Sequence, residues 1–305
     1  MTVVRHYEGI VYDSSRWQGF ELRPGDIIIS TPPKCGTTWT QMICALLIFQ
    51  TPELPQTLDL LSPWMEIRLR RRKVVHDIYD AQTHRRFIKS HTPLDGLPVD
   101  DRITYICVGR DPRDVGLSWR AHMNNIDFDV MFGALAEAIE PDDNFAPPRI
   151  PPEFSDEREA FRYWVDDPTP PEDVAMSLAG LIHHMVSFWA VRDRADVILL
   201  HYDDLQTDLE GEMRRLADRL AITVPEERWP ALVKAATFED MRSRATERAP
   251  DTEKRLWKNT TDFFHRGMSG QWEEIFDAEL AAHYEAKVRE LAPPDLIAWL
   301  HRETL

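Results

Sequence analysis

Cysteine, cationic side chains and long apolar runs are all scarce in this sequence. Its three cysteines, Cys35, Cys44 and Cys107, have no CxxC spacing, so neither a disulfide framework nor a cysteine zinc site is predicted. Lys and Arg number 36 against 52 Asp and Glu, a formal net charge of −16, which argues against a nucleic-acid partner. The longest apolar run, residues 42–49, is too short to span a bilayer, and the N-terminus has no signal-peptide core. We therefore expect a cytoplasmic protein.

The chain does contain short apolar runs that alternate with helical patterns. The first run, DIIIST, is followed by a loop and then by apolar residues three and four positions apart, a spacing typical of a helix. Strands that alternate with helices predict an α/β fold, here a single three-layer domain over residues 1–305 whose central parallel sheet carries helices on both faces. The predicted strands are residues 26–31, 86–90, 104–108 and 197–202.

One segment departs from this alternation. Residues 140–173 hold eight of the 22 prolines among many acidic residues, which predicts an irregular surface excursion. Long loops inside compact domains are often binding loops. The excursion is therefore either a solvated loop or a candidate substrate lid.

The loop after the first predicted strand, TPPKCGTTW at residues 31–39, has the features of a phosphate-binding loop. The backbone N–H groups of Gly36, Thr37 and Thr38 would point to one spot at a helix N-terminus, and Lys34 adds a positive charge. An ordinary capped helix start would look similar. The GxxxxGK pattern of P-loop nucleotidases is missing, because the lysine here precedes the glycine.

PKCGTTW at residues 33–39 resembles the 5′-phosphosulfate loop of the cytosolic-type sulfotransferases, usually written PKSGTTW. These enzymes use 3′-phosphoadenosine 5′-phosphosulfate (PAPS) as the sulfuryl donor. The resemblance implies that Lys34 contacts the bridging oxygen and the sulfuryl group, Thr37 and Thr38 the 5′-phosphate, and Trp39 the adenine. Cys35 replaces the serine of the pattern, and the resemblance implies that it is one of the cofactor-binding residues of this P-loop-like loop.

A second motif, CVGRDPRDVGLS at residues 107–118, follows a predicted strand. It resembles the family's 3′-phosphate motif, which implies that Arg110 and Ser118 clamp that phosphate. A guanidinium fork suits a phosphate dianion, and a hydroxyl adds a donor. Arg110 and Asp111 would equally suit a solvated helix start.

A third motif, FFHRGMSGQW at residues 263–272, looks like the family's FxRKGxxGDW loop, which closes over the cofactor. Arg266 and Gly267 match the pattern. His265 stands in place of Arg and Gln271 in place of Asp. Because histidine titrates near neutrality, His265 would weaken 3′-phosphate binding or make it pH-dependent.

Two weaker matches lie between these motifs. Tyr202 in HYDDL and the segment TFEDM resemble the family's adenine-side segments, although aromatic residues of this kind are more often part of a core. All matches follow the family order from residue 26 to residue 272. The TFEDM residues implied to bind the cofactor are Thr237, Phe238 and Met241.

The segment IKSHTP resembles the part of the family that carries the catalytic histidine. It implies that His91 is the general base, a role suited to a group that titrates near neutral pH. Lys34 and Lys89 would stabilise charge on the sulfuryl group and on the leaving phosphate. PAPS would be the donor and adenosine 3′,5′-bisphosphate (PAP) the product, with no metal.

Three other functions remain open at this stage. The first is a thiol phosphatase with Cys35 as its nucleophile. Such an enzyme needs an Arg six residues after the cysteine, where this sequence has Gln41. A magnesium-dependent P-loop kinase would use Asp203 or Asp204 as its acidic residue. A non-enzymatic binding module is the third. If the Cys35 thiol lies at a helix N-terminus beside Lys34, its pKa should be depressed.

The acceptor is expected to be a lipid-linked or small-molecule hydroxyl. The sequences TPLDGL, GRDPRD and LAPPDLIAWL are most similar to actinobacterial glycolipid-type sulfotransferases, which implies a glycolipid or another amphiphile. The family's KxxxTVxxxE dimer signature is absent near residues 273–282, so the oligomeric state stays open. Five aromatic or apolar residues are candidates for a gate at the acceptor site, although they would equally suit the core. They are Trp64, Met65, Phe161, Tyr163 and Trp164.

Overall fold

The computed structural model describes residues 5–140, 152–173, 176–250, 254–264 and 266–302. Its centre is one sheet in the order β2-β1-β3-β4, and every neighbouring pair of strands is parallel. The predicted strands are confirmed, with ends that differ by at most one residue. They are β1 Ile27–Ser30, β2 Phe87–Ser90, β3 Thr104–Gly109 and β4 Val197–His201.

Strand register decides where the loops meet. Ser30 pairs with Ser90, and Gly109 pairs with His201. The carboxyl ends of all four strands therefore lie at one edge of the sheet. This is where ligands bind in parallel α/β folds.

Helices cover both faces of the sheet, which confirms the predicted three-layer α/β fold. Ile28 and Tyr105 point into one core and Ile27 and Ile29 into the other, all of them fully buried. The helices of the described residues are α1 Thr37–Phe49, α2 Leu58–Leu61, α3 Arg72–Asp80, α4 Pro112–Asn125, α5 Phe128–Ala138, α6 Glu157–Asp166, α7 Leu178–Trp189, α8 Tyr202–Thr207, α9 Leu209–Arg219, α10 Trp229–Ala235, α11 Phe238–Ser243, α12 Ala245–Arg248, α13 Ala278–Leu291 and α14 Pro294–His301.

The prediction of an irregular excursion over residues 140–173 is wrong for α6. Phe161 and Trp164 of this helix are 2% and 5% exposed and belong to the same core as the sheet. Their spacing of three is helical, and Asp156 caps the helix by accepting a hydrogen bond from the Glu159 N–H at 2.9 Å. The high proline content of the flanking residues hid this amphipathic pattern. Residues 141–151 lie outside the described residues.

Candidate active site

The loop between β1 and α1 turns sharply just before the helix. Lys34 and Gly36 have positive φ angles of 69° and 107°. The positive φ angle of Gly36 favours glycine, and a Cβ atom there would also lie only 3.1 Å from the Tyr202 ring. The 13-residue helix α1 begins at Thr37, and its positive end faces the cavity described below. The Thr37 hydroxyl forms a hydrogen bond with the hydroxyl of Thr31.

The prediction of a depressed pKa for the Cys35 thiol is wrong. Its side chain is 1% exposed, belongs to the same core cluster as Cys107 and is not among the described residues that line the cavity, so the cofactor-binding role predicted for it finds no support. Burial disfavours the thiolate and raises the pKa of Cys35 to about 12, although Arg110 acts in the opposite direction. Cys35 is therefore a small core residue at the base of the loop, which removes the structural basis of the thiol phosphatase hypothesis.

Lys34 lies in a cluster of cations. Its Nζ is 3.4 Å from Nδ1 of His122 and 5.0 Å from the centre of the Phe263 ring. Desolvation, followed by repulsion from Arg110 and Lys89, lowers the pKa of Lys34 to about 7. An anion bound here would relieve that repulsion.

Arg110 ties three segments together at the end of β3. It donates hydrogen bonds to the carbonyl oxygens of Lys34 at 3.1 Å and Met268 at 3.0 Å, and its guanidinium lies 4.2 Å from the centre of the Tyr202 ring. The side chain is buried, and its Nε has no hydrogen-bond partner among the described residues. Ser118 lines the same cavity from α4. A buried cation with an unused donor is suited to binding an anion.

The C-terminal loop predicted to close over the cofactor is held by Asp114. This carboxylate accepts hydrogen bonds from the backbone N–H groups of Gly270 at 2.8 Å and Gln271 at 2.9 Å. Sequence reasoning missed Asp114, although it lies inside the quoted GRDPRD motif. Arg266 lines the cavity and pairs with Glu274 at 3.3 Å, whereas His265 lies outside the described residues.

Other predicted cofactor residues lie along the same wall. Trp39 donates from Nε1 to the carbonyl of Ala236 at 2.7 Å, and its ring contacts Tyr202 edge-on at 5.2 Å. Thr237 caps α11 by accepting a hydrogen bond from the Asp240 N–H at 3.2 Å, and it is not among the described residues that line the cavity. The wall residues that do line it are Trp39, Tyr202, Phe238, Met241 and Gly267.

His91 lies at the end of β2 with its ring orientation fixed. Its Nδ1–H donates to the carbonyl of Thr31 at 2.8 Å, and the ring packs edge-on against Trp64 at 4.8 Å. The lone pair is therefore on Nε2. Burial, and then the charge of Lys89, hold the pKa of His91 well below its usual value. The neutral, proton-accepting form is thus the resting form near pH 7.

Glu66 fixes the segment around His91. Its Oε1 accepts hydrogen bonds from the hydroxyls of Ser90 at 2.5 Å and Thr92 at 2.8 Å, the two neighbours of His91, and from Nε1 of Trp17 at 2.6 Å. The side chain is fully buried. Sequence reasoning missed this residue, although it lies inside the SPWME segment.

These groups surround one cavity of about 1000 Å³. Lys34, Lys89, His91 and Arg110 line it where the strands end, and most of the other lining side chains are apolar or aromatic. The candidate gate residues lie in different environments. Met65 and Phe161 belong to the core and do not line the cavity, whereas Trp164 belongs to the core and also lines the cavity. Trp64 and Tyr163 line the cavity as well.

The kinase hypothesis finds no support in this geometry. Asp203 accepts a hydrogen bond from the Ser269 hydroxyl, Asp204 pairs with Arg302, and neither carboxylate is among the described residues that line the cavity. Within the described ranges, no group of three or more His, Cys, Asp or Glu is arranged to hold a metal ion. In the same part of the chain, no helix is long and apolar enough to cross a membrane.

The cavity lies at the edge of a parallel α/β sheet and combines a cationic loop at a helix N-terminus, a buried arginine and a neutral histidine. Together these features define an enzyme site for a phosphate-bearing donor. Comparison with known proteins gives this site its family. The sulfotransferase domain matches residues 24–293, and the chain belongs to the sulfotransferase family. It is a transferase that moves a sulfuryl group to an acceptor, and sulfotransferases use PAPS as the donor. The resemblance drawn from the motifs is confirmed.

Individual relatives cover nearly the whole chain. The glycolipid sulfotransferase of Mycobacterium bovis (strain BCG / Pasteur 1173P2) is 43% identical over 97% of this chain and 93% of its own length. That of Mycobacterium tuberculosis (strain ATCC 25177 / H37Ra) is 42% identical with the same coverage.

Solved structures show the same fold at low identity. Mouse sulfotransferase SULT7A1 complexed with PAP has a TM-score of 0.70 at 17% identity, over 96% of this chain and 94% of that one. Retinol dehydratase in complex with androsterone and PAP has a TM-score of 0.68 at 19% identity, over 93% and 89% of the two chains.

Proposed function

We propose that this enzyme sulfates a hydroxyl of an amphiphilic, glycolipid-type acceptor, with His91 as the general base. The observation that carries the proposal is the neutral His91 ring, whose Nδ1–H donates to Thr31 at 2.8 Å, in a largely apolar cavity of about 1000 Å³ that also contains Lys34 and Arg110. The base, the cationic loop and the apolar wall thus belong to one space. This combination suits a charged donor and an apolar acceptor that meet at His91.

The residues present fit PAPS. The buried Arg110 has an unpartnered Nε, and the start of α1 together with Lys34 supplies positive charge that only an anion would balance. In this proposal Arg110 and Ser118 hold the 3′-phosphate, and the loop before α1 holds the 5′-phosphosulfate. The residues proposed to contact the donor are Lys34, Gly36, Thr37, Thr38, Trp39, Arg110, Ser118, Tyr202, Phe238, Met241, Arg266 and Gly267.

The chemistry that the protein contributes is proton removal and charge stabilisation. PAPS supplies the sulfuryl group, the acceptor O–S bond forms as the bridging O–S bond breaks, and PAP leaves. Nε2 of His91 takes the acceptor proton, because its Nδ1 is already committed to Thr31. Lys34 and Lys89 balance the charge that develops on the transferred group and on the leaving phosphate.

The acceptor class follows from the cavity wall and from the relatives. Apolar side chains from the N-terminal segment, α4, α5, α6 and the region around Trp257 line the same cavity as His91. Both mycobacterial relatives are named glycolipid sulfotransferases. A cavity lined mostly by apolar and aromatic side chains suits a lipid chain better than a free sugar.

The excursion contributes to this wall and is proposed as a substrate lid. Phe154 and Tyr163 line the cavity from it and lie 5.2 Å apart, and Arg120 of α4 packs over Phe154 at 5.0 Å. Asp173, near the end of the excursion, lines the cavity too. Movement of these side chains would open a path for a large acceptor.

The test uses PAPS carrying labelled sulfate with four acceptor sets: lipid extracts, sterols, small phenols and free sugars. We expect label in the lipid fraction, and His91→Ala is the control for non-enzymatic transfer. Sulfation of small phenols with no transfer to lipid would refute the acceptor class. PAP and ATP are titrated in parallel, each with EDTA or with Mg²⁺. Binding of ATP with Mg²⁺ alone, and no binding of PAP, would refute the donor assignment.

A further inference from the structure

His122 lies in the active-site cavity, but neither the motifs nor the proposed mechanism give it a role. It belongs to the last turn of α4, four residues after Ser118. Residues four apart lie on the same helix face. Both side chains line the cavity, so one face of α4 carries the predicted 3′-phosphate ligand and, one turn later, this histidine.

The ring of His122 is fixed in place by aromatic neighbours. It stacks on Trp119 with 5.3 Å between ring centres and an angle of 27°, and it packs against Trp257 at 5.0 Å and Phe263 at 5.9 Å. Phe263 also lies under the ammonium of Lys34, at 5.0 Å. The imidazole and the lysine thus share one aromatic site.

The contact between Lys34 and His122 defines the tautomer. While Lys34 is protonated its ammonium group only donates, so Nδ1 of His122, 3.4 Å from Nζ of Lys34, then carries a lone pair and Nε2 the proton. Burial and the charges of Lys34 and Lys89, with a smaller effect of His91, hold the pKa of His122 well below its usual value. His122 is therefore a neutral acceptor in a cluster of cations.

The charged and titratable groups that face this pair come from three strand ends. Lys34 follows β1, Lys89 lies in β2 and His91 directly after it, and Arg110 follows β3. The ring contacts of His122 are those with the aromatic side chains described above. Arg110 and Lys89 both favour loss of the Lys34 proton. A hydrogen bond from the ammonium to a neutral acceptor favours retention of the Lys34 proton.

We propose that His122 is a positioning residue for sulfuryl transfer: by accepting a hydrogen bond from Lys34, it keeps that side chain protonated and in one orientation toward the donor. The inference rests on the proposed function, because the role of Lys34 belongs to it. Without the acceptor, the ammonium would keep its contact with the Phe263 ring but would still face the charges of Arg110 and Lys89. It would then lose its proton at lower pH and sample other rotamers.

Two substitutions separate the hydrogen bond from the shape of the ring. His122→Phe keeps an aromatic side chain in the stack but removes the acceptor, whereas His122→Gln keeps an acceptor oxygen. A third variant, His283→Phe, removes a histidine that pairs with Asp166 at 2.8 Å and is not among the described residues that line the cavity. It is the matched control.

PAP affinity is measured by calorimetry from pH 5.5 to pH 9, which needs no acceptor, and kcat and KM are measured with whichever acceptor is active. In His122→Phe we expect PAP affinity to begin falling at lower pH than in the wild type. We also expect kcat to fall about 10- to 100-fold, because this loss corresponds to the free energy of one hydrogen bond to a charged group. His122→Gln should restore most of the wild-type pH profile of PAP affinity and most of kcat. His283→Phe should match the wild type in both measurements.

A wild-type pH profile and kcat in His122→Phe would overturn the proposal. Equal losses in the Phe and Gln variants with an unshifted pH profile would overturn it too, since the ring would then serve packing alone. Wild-type protein that binds no PAP at any pH would instead refute the proposed function. The wild-type titration therefore distinguishes the two failures.

Discussion

The unusual acidity of Lys34 leads to a quantitative prediction for cofactor binding. In the free protein its pKa is about 7, because the amine is desolvated and faces Arg110 and Lys89. A bound phosphate would supply the missing counter-charge and raise the pKa again. Above pH 7, binding of PAP must therefore be accompanied by uptake of a proton onto Lys34.

The size of the effect follows from linkage. If the complex restores the ordinary pKa of a lysine, affinity falls about fivefold between pH 7 and pH 8 and about tenfold for the next pH unit, and about one proton is taken up at pH 8. The affinity for PAP falls as the pH rises, because the protonated form of Lys34 binds the anion. The affinity is therefore highest at the acidic end of the range. Between pH 7 and pH 9 the total loss approaches about 50-fold.

The assay is calorimetric titration with PAP at several pH values, repeated in buffers of different ionisation enthalpy so that proton uptake is counted directly. Lys34→Met is the control, because it retains an apolar stem but has no titrating group. It should bind more weakly at pH 7 and lose this pH dependence. Flat affinity from pH 7 to pH 9 in the wild type, with no proton uptake, would refute the reasoning.

Three further predictions concern single side chains. His91→Ala should lower kcat by about two to four orders of magnitude and leave PAP affinity nearly unchanged, since the base acts on the acceptor; near-wild-type turnover would contradict its assignment. In the wild type, activity should persist below pH 6.5 and disappear only as the pH falls through the lowered pKa of His91. Cys35 should resist iodoacetamide at pH 8, because its thiol is buried with a pKa of about 12, and Cys35→Ser should stay active; mass spectrometry that finds rapid labelling of Cys35 would contradict the burial. Asp114→Asn should weaken PAP binding about tenfold or more, because one of the two oxygens that hold the backbone N–H groups of Gly270 and Gln271 becomes a donor; unchanged affinity would show that the loop is held by other contacts.

The strands and the loops that bear the site were predictable because they depend on local patterns. A parallel strand buried on both faces is a run of apolar residues, as in Ile27–Ser30. A glycine with a positive φ angle at a helix start is visible as PKCG, and Gly36 takes that conformation. Register then brings the carboxyl ends of the four strands together, as the alternation of strands and helices implies.

Side-chain direction and long-range contacts were not predictable in this way. The sequence places Cys35 next to Lys34 but does not say that its thiol turns into the core, where burial raises its pKa. The 3.4 Å contact of Lys34 with His122 joins residues 88 positions apart, and no local pattern encodes it.

The sequence alone thus determined the family, the order of its motifs and the position of His91 at a strand end, because each is a short pattern with its own local geometry. Only the tertiary structure decided which neutral groups surround the cations and how the hydrogen bonds of Glu66 and Asp114 hold the segment around His91 and the C-terminal loop. The physical reason is that burial and electrostatics are sums over everything packed nearby, and the neighbours that contribute most come from distant parts of the chain.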